Sequence, residues 1–315
     1  MSLKKQLLGQ DLWSGIGRPA ASMAFAAGRA AAAAPSRPRR NPAIGIQGKR
    51  GQYRLAVRIQ ESVPGMDEVV HKIRTTSRTE VDVRIVGELF KQKPWHQKKN
   101  RPLRVGGSIG HVKITAGTLG CFVSRGGEDL ILSNNHVLAN ENDARKGDKI
   151  IQPGDADGGK NPRDVVGLLD RFVKLKKTKN LVDAATASLI DDMEYYYNWL
   201  ERLGEIRGVR TDMPDEGETV YKVGRTTGLT KGRVSAFGID SLDIGYDMGV
   251  IMFDEQFEIE PTENKPFSLG GDSGSLIVDS RRRALGLLFA GNDVNATYAN
   301  PIGTVLDKLK VDLVF

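Results

Sequence analysis

Apolar positions along this chain fall into short runs of period two, separated by turn residues. Leu55, Val57 and Ile59 alternate with Arg54, Arg58 and Gln60, and Val81, Val83 and Ile85 repeat the pattern. Successive strand side chains point to opposite faces, so each run predicts a half-buried strand. Between the runs, Pro64-Gly65 marks a turn and Asp67–Arg74 is predicted to be a short helix. Residues 43–90 therefore read as a small α/β accessory module with no catalytic constellation. From Gly106 onward the chain carries glycine pairs, turns such as Gly126-Gly127 and Asp157-Gly158-Gly159, and short apolar runs such as Leu130–Leu132. That spacing predicts barrel-type all-β structure. Asp192–Leu203, with Tyr195, Tyr196, Tyr197 and Trp199, is the best helix candidate, its aromatics read as packing groups.

The rest of the chain is punctuated by charge. Residues 1–42 form a low-complexity tail with seven basic residues against one acid, and a short helix is expected near Leu7–Trp13. Residues 91–105 add six basic residues and no acid, and read as a linker. Much of the formal net charge of +7 therefore belongs to a tail and a linker. Such runs bind nucleic acid or anionic surfaces in some proteins; a solvated segment is the reading favoured here.

Composition narrows the class. The length of 315 residues leaves room for two domains, and 39% hydrophobic with 27% charged residues is ordinary for a soluble globular protein. Cys121 is the single cysteine, so no intramolecular disulfide forms; that favours a reducing compartment and a cytoplasmic protein. The histidines are His71, His96, His111 and His136, with no close pair, so no metal site is expected. No apolar run reaches the ~18 residues of a membrane span. Ala20–Ala34 is interrupted by Arg29 and makes a poor export signal.

Three motifs carry chemistry. Ser133-Asn134-Asn135-His136 follows an apolar strand, Val182-Asp183-Ala184-Ala185 places one acid among apolar residues, and Gly271-Asp272-Ser273-Gly274-Ser275 frames a serine with glycines. Serine is a weak nucleophile at neutral pH and needs a base within hydrogen-bond reach. His136 is the candidate base, Asp183 the acid that orients it, and Ser273 the nucleophile. A lone carboxylate in an apolar context is costly unless it has a task. Gly271 lets the backbone turn so that its N–H and that of Ser273 face one point, a candidate oxyanion hole. The order His, Asp, Ser suits a double β-barrel, and Ser275 in place of glycine points away from an α/β-hydrolase elbow. His111 reads as structural, and Asp191 and Asp192 as solvated.

These residues, with Gly224-Arg225-Thr226-Thr227-Gly228, resemble the trypsin/chymotrypsin family of serine endopeptidases over residues 106–315. The likeness is to disulfide-free bacterial members: streptogrisin-like, glutamyl-endopeptidase-like and HtrA-like enzymes. Asn134-Asn135-His136-Val137 departs from the trypsin-type Ala-Ala-His-Cys. The resemblance implies a mainly β fold, a trypsin-like double β-barrel, with the first barrel at about 106–190 and the second at about 207–315. It implies peptide-bond hydrolysis of protein or peptide substrates with no cofactor. It also implies that Phe267 lies at the base of the specificity pocket and that Phe289-Ala290-Gly291 forms its wall. Arg104-Val105-Gly106-Gly107 looks like a zymogen activation junction; the expectation is that the uncut chain is competent, with Asp272 held by local donors. Gln152–Gly159 superficially resembles a calcium loop but is read as a surface turn. Two other readings stay open: a binding scaffold with weak turnover, and a nucleic-acid-binding protein acting through its basic tail.

Overall fold

The computed structural model describes residues 42–49, 52–60, 66–77, 79–87, 89, 93–292 and 295–315. The expected Leu7–Trp13 helix, the Pro64-Gly65 turn and residues 1–41 of the basic tail lie outside them. The chain divides after residue 92 into two compact units.

The first unit is a three-stranded sheet with one helix. Ala43–Lys49 runs antiparallel to Gln52–Ile59, which is parallel to Val81–Ile85. Parallel neighbours need a crossover, and helix Met66–Thr76 supplies it. The helix carries Asp67 and Glu68 in its first turn and Arg74 in its last, which matches its macrodipole. Val57, Ile59 and Ile73 form the core, with Ile44, Val70, Val81 and Val83 against them.

The second unit is mainly β, with the two barrel-type sheets expected. An eight-stranded sheet runs Asp312–Leu313, Cys121–Arg125, Glu128–Ser133, Ala185–Leu189, Val165–Phe172, Lys149–Ile151, Ser108–His111, Gly117–Thr118. Leu130, Ile131 and Leu132 at its centre are buried. A closed barrel runs Thr219–Gly224, Gly228–Ile239, Gln256–Pro261, Thr297–Pro301, Ala284–Gly291, Leu276–Asp279. Val220, Val234, Phe257, Ile259 and Leu285 fill its interior. The chain end, assigned from sequence to the second barrel, crosses back. Helix Ile302–Leu309 buries Ile302, Val305 and Leu309 in the larger core, and Asp312–Leu313 pairs with Cys121–Arg125 of the first sheet.

Two segments differ from the sequence reading. Asp192–Leu203 is not helical. Tyr195–Tyr196 pairs with Leu103–Arg104, and Trp199–Leu200 with Gly204–Glu205. Aromatic residues favour a pleated surface, and Asp192 and Arg202 adopt positive φ, which no helix allows. Tyr195 packs on Phe122 with ring centres 4.5 Å apart. The expected linker belongs to the second unit from Lys93 on, with a 3-10 turn at Trp95–Gln97 and a buried Val105. Among the described residues no helix is long and apolar enough to cross a membrane.

An ion pair between a partly buried arginine and a buried aspartate ties barrel to sheet. Arg225, in the turn between Thr219–Gly224 and Gly228–Ile239, holds Asp157 through Nε at 2.7 Å and Nη2 at 3.0 Å. Asp157 belongs to the stretch resembling a calcium loop, and its carboxylate is used by this pair. Removing one partner of a buried pair strands the other. Asp157→Ala should lower unfolding stability by about 3 kcal/mol in urea titration, and adding Arg225→Met should recover much of that loss.

Candidate active site

Register brings the first two residues together. Strands Glu128–Ser133 and Ala185–Leu189 are antiparallel neighbours, with Ala185 opposite Ser133. The end of one strand therefore lies beside the start of the other. His136, on the short helical turn Asn135–Leu138 after the first strand, meets Asp183, just before the second. His136 Nδ1 lies 2.5 Å from Asp183 Oδ2, and the His136 backbone N–H donates to Oδ1 at 3.2 Å. Asp183 has no solvent exposure. Its backbone is fixed as well: Asn134 donates to its carbonyl at 2.7 Å, and its N–H donates to Asn300 Oδ1 at 3.0 Å. Asn300 in turn donates to Gln256, which donates to the Leu181 carbonyl. Burial pushes the His136 imidazolium pKa down, but the charge and hydrogen bond of Asp183, with help from Glu141, outweigh this and hold it above the ordinary 6.5.

Ser273 sits in the loop before strand Leu276–Asp279. It lines the same cavity as His136, a cleft of about 240 Å³ that also includes Tyr246, Leu288, Phe289 and Gly291. Among the described residues no hydrogen bond joins its hydroxyl to His136; such bonds often tighten only when substrate is bound. The loop is pinned to the first sheet by its backbone. Thr118 N–H donates to the Ser273 carbonyl at 2.8 Å, and Thr118 Oγ1 to the Gly271 carbonyl at 2.9 Å. Both Gly271 and Gly274 adopt φ near +90° (+93° and +92°). A Cβ on Gly274 would fall 2.1 Å from Ser133 Oγ and 2.4 Å from the Thr118 carbonyl. Its glycine therefore serves the approach of this loop to the first sheet. The N–H groups of Asp272, Gly274 and Ser275 are spent on the carbonyls of Leu269, Leu288 and Asp272. Those of Gly271 and Ser273 donate to no group among the described residues.

Asp272 is buried and fully occupied in the uncut chain. It accepts from Thr226 N–H at 2.8 Å, Thr227 N–H at 3.2 Å, Thr227 Oγ1 at 2.7 Å and Leu269 N–H at 3.0 Å. Lys222 Nζ lies 3.4 Å away, itself fully buried, and donates to Thr227 Oγ1. Burial lowers the Lys222 pKa, and the Asp272 charge opposes the shift. The sequence expected local donors here, and Lys222 is one it did not name. Val105, after the apparent activation junction, is buried.

Other sequence candidates separate. Phe267 is corrected: its ring does not line the cleft but is packed in the barrel core, 2% exposed and 5.6 Å from Lys222 Nζ. Its apolar bulk suits the barrel interior, and the next residue, Ser268, lines the cleft. Phe289, Ala290 and Gly291 line that cleft. His111 is buried and structural. It accepts from Lys113 N–H at Nδ1, so the proton sits on Nε2 and faces Asp148. Asp191 and Asp192 are exposed and line a different groove. Sequence reasoning missed Tyr246, Asn300 and Gln256. A lone amide inside an apolar strand, as at Asn300, was the available signal; Tyr246 had none.

A family model described as the Nal1 C-terminal domain matches residues 200–310, a stretch holding Ser273 but neither His136 nor Asp183. No curated protein sequence matches the chain. Among solved structures, a serine protease described as glutamic-acid-specific, with a histidine triad in substrate binding, is 18% identical. It covers 67% of this chain and 100% of its own, with a TM-score of 0.49. An alpha-lytic protease homolog, N4, is 19% identical over 67% of this chain and 99% of its own, at 0.49. A Nocardiopsis protease is 15% identical over 67% and 98%, at 0.48.

Two outcomes check the loop. Gly274→Ala meets both the positive φ and the Ser133 and Thr118 contacts, so the protein should lose about 2 kcal/mol or more of stability in urea titration. Lys222→Met should cost about 3 kcal/mol by leaving the buried Asp272 without its cation. Melting at the wild-type temperature would show that Lys222 has no such role.

Proposed function

We propose that this protein is a serine endopeptidase acting through Ser273, His136 and Asp183. The observation that carries the reading is the His136–Asp183 hydrogen bond of 2.5 Å, facing a cleft that Ser273 also lines. A proton on His136 Nδ1, donated to Asp183, leaves Nε2 free to accept the Ser273 proton. Ser273 Oγ then attacks the scissile carbonyl carbon. The N–H groups of Gly271 and Ser273, which donate to no described group, would receive the oxyanion, each worth about 2.7–4 kcal/mol to the transition state. His136, now an imidazolium, returns the proton to the amine as the C–N bond breaks. Water repeats the sequence on the acyl-enzyme and releases the acid product. Every step uses side chains and backbone of this chain alone.

The cleft wall bears on substrate choice. Ile244, Tyr246, Leu288, Phe289 and Ala290 are apolar contributors, and Ser268 adds a hydroxyl. Among the described lining residues Glu141 is the acid, and both its carboxylate oxygens accept backbone N–H groups, from Asp247 and Met248. Small or apolar side chains before the cut should therefore be preferred over Arg or Lys. A cleavage-site library in which Arg or Lys dominates would overturn this preference.

Peptidase activity of the purified chain, with Ser273→Ala beside it, tests the reading. The variant should lose on the order of 10⁶ in turnover while unfolding at the wild-type midpoint. Ordinary activity in the variant would refute the mechanism. His136 must be neutral to accept a proton, and Asp183 holds its pKa up. So kcat/KM should rise with pH through a midpoint above 6.5, the ordinary imidazole value.

A further inference from the structure

The candidate His–Asp pair has a neighbour that the chemistry above does not use. Tyr246 Oη lies 2.7 Å from Asp183 Oδ2, the same oxygen that meets His136 Nδ1. Its ring meets the imidazole edge-on at 5.9 Å and stacks on Phe253 at 6.0 Å. Burial, then the Asp183 charge, raises the Tyr246 pKa well above 10, so the phenol keeps its proton and donates it.

Tyr246 comes from neither barrel. It sits on the hairpin Leu242–Tyr246/Gly249–Phe253, which follows two register irregularities near the end of strand Gly228–Ile239. Bulges bend a strand away from its sheet, and the hairpin is anchored anew beyond them. Its base is sewn to the segment before Asp183. Met252 N–H donates to the Lys177 carbonyl, and Asn180 Nδ2 donates to the Met252 carbonyl at 2.9 Å. Its tip is held by Glu141, which accepts from Asp247 N–H at 3.1 Å and Met248 N–H at 2.9 Å.

The turn presenting Glu141 is unusual. Asn140, Glu141 and Asn142 have φ of +46°, +53° and +77° in succession. A left-handed non-glycine residue is disfavoured and persists where its surroundings over-determine it. Here Asn135 and Asn142 bond reciprocally, side chain to side chain at 2.9 Å and side chain to backbone at 3.1 Å, and Glu141 holds the hairpin.

We propose that Tyr246 is a positioning residue for His136 and Asp183, held over them by the Glu141 latch on its hairpin. This rests on the reading of His136 as base and Asp183 as its orienting acid. Two donors on one oxygen fix the carboxylate torsion and hence the imidazole plane. The phenol also withdraws part of the carboxylate charge from His136. Groups facing His136 are Asp183, Glu141 and Tyr246, and the adjoining groove adds Lys113, Asp143, Lys174 and Asp247. A Tyr246→Phe change leaves all the others in place.

The experiment uses the full chain with Tyr246→Phe, 3-fluorotyrosine at 246, and Tyr298→Phe as a control. Tyr298 donates to Glu258 at 2.7 Å in a phenol–carboxylate bond, and packs on the same apolar cluster as Tyr246 but does not touch Asp183. Tyr246→Phe should lower kcat about tenfold with KM within about twofold, and raise the acid-limb midpoint of kcat/KM, since Asp183 then directs its full charge at His136. Fluorotyrosine, a stronger donor, should move the midpoint down, and Tyr298→Phe should leave it in place. The low-field proton resonance of His136 Nδ1–H, which needs no substrate, should shift in both 246 variants and not in the control. Lost turnover with an unmoved midpoint and resonance would overturn the proposal, as would no change at all. A wild-type chain without peptidase activity would instead refute the functional reading, and the resonance would still decide whether Tyr246 acts on the pair.

Discussion

A carboxylate with no solvent exposure organises this molecule. Desolvating such a charge costs several kcal/mol, and only well-placed donors offset it. Asp183 has three: the His136 backbone N–H, His136 Nδ1 and the Tyr246 hydroxyl. They come from different elements, the turn after Glu128–Ser133 and the hairpin outside the barrel. Asn134 and Asn300 hold the Asp183 backbone, and Asn300 belongs to the last strand of the closed barrel. One buried charge thus requires the sheet, the barrel and the hairpin to be in place together.

The Ser273 loop follows a second constraint, the close approach of two backbones. Gly274 has no room for a Cβ because Ser133 and Thr118 lie against it, so the loop docks on the first sheet through its main chain. Asp272 fixes the other side of the loop by drawing in the 226–227 turn and Leu269. The donors all come from within the intact chain, and Lys222 brings a positive charge. Preorganised donors cost no reorganisation when negative charge develops. The N–H groups of Gly271 and Ser273, without acceptors among the described residues, acquire their position from these two locks.

What the sequence revealed depended on how local the signal was. Leu55, Val57 and Ile59 alternate, and that period alone yields the strand. His136, Asp183 and Ser273 each stand in a distinctive local setting; antiparallel register joins the first two, and docking of the loop on Thr118 brings Ser273 to the same cleft. Phe267 failed because a count back from Ser273 fixes a position but not which way the side chain points. Asp192–Leu203 failed because its aromatics carry strand preference, and clustered packing aromatics do not distinguish a helix from paired strands. Tyr246 was invisible: its partner lies 63 residues away, across a hairpin whose placement depends on bulges no pattern discloses. Lys222 was hidden for a similar reason, since a lysine within a strand normally reads as a solvated face.

The most direct test is to trap the covalent intermediate. The purified chain is mixed with a small activated ester, quenched in acid within the first turnover, digested and mapped by mass spectrometry. An acyl group should appear on Ser273 in stoichiometric amount in wild-type protein, and on no residue in His136→Ala at the same delay. No adduct on Ser273, or an adduct that forms equally fast without His136, would contradict a serine peptidase mechanism built on the His136–Asp183 pair.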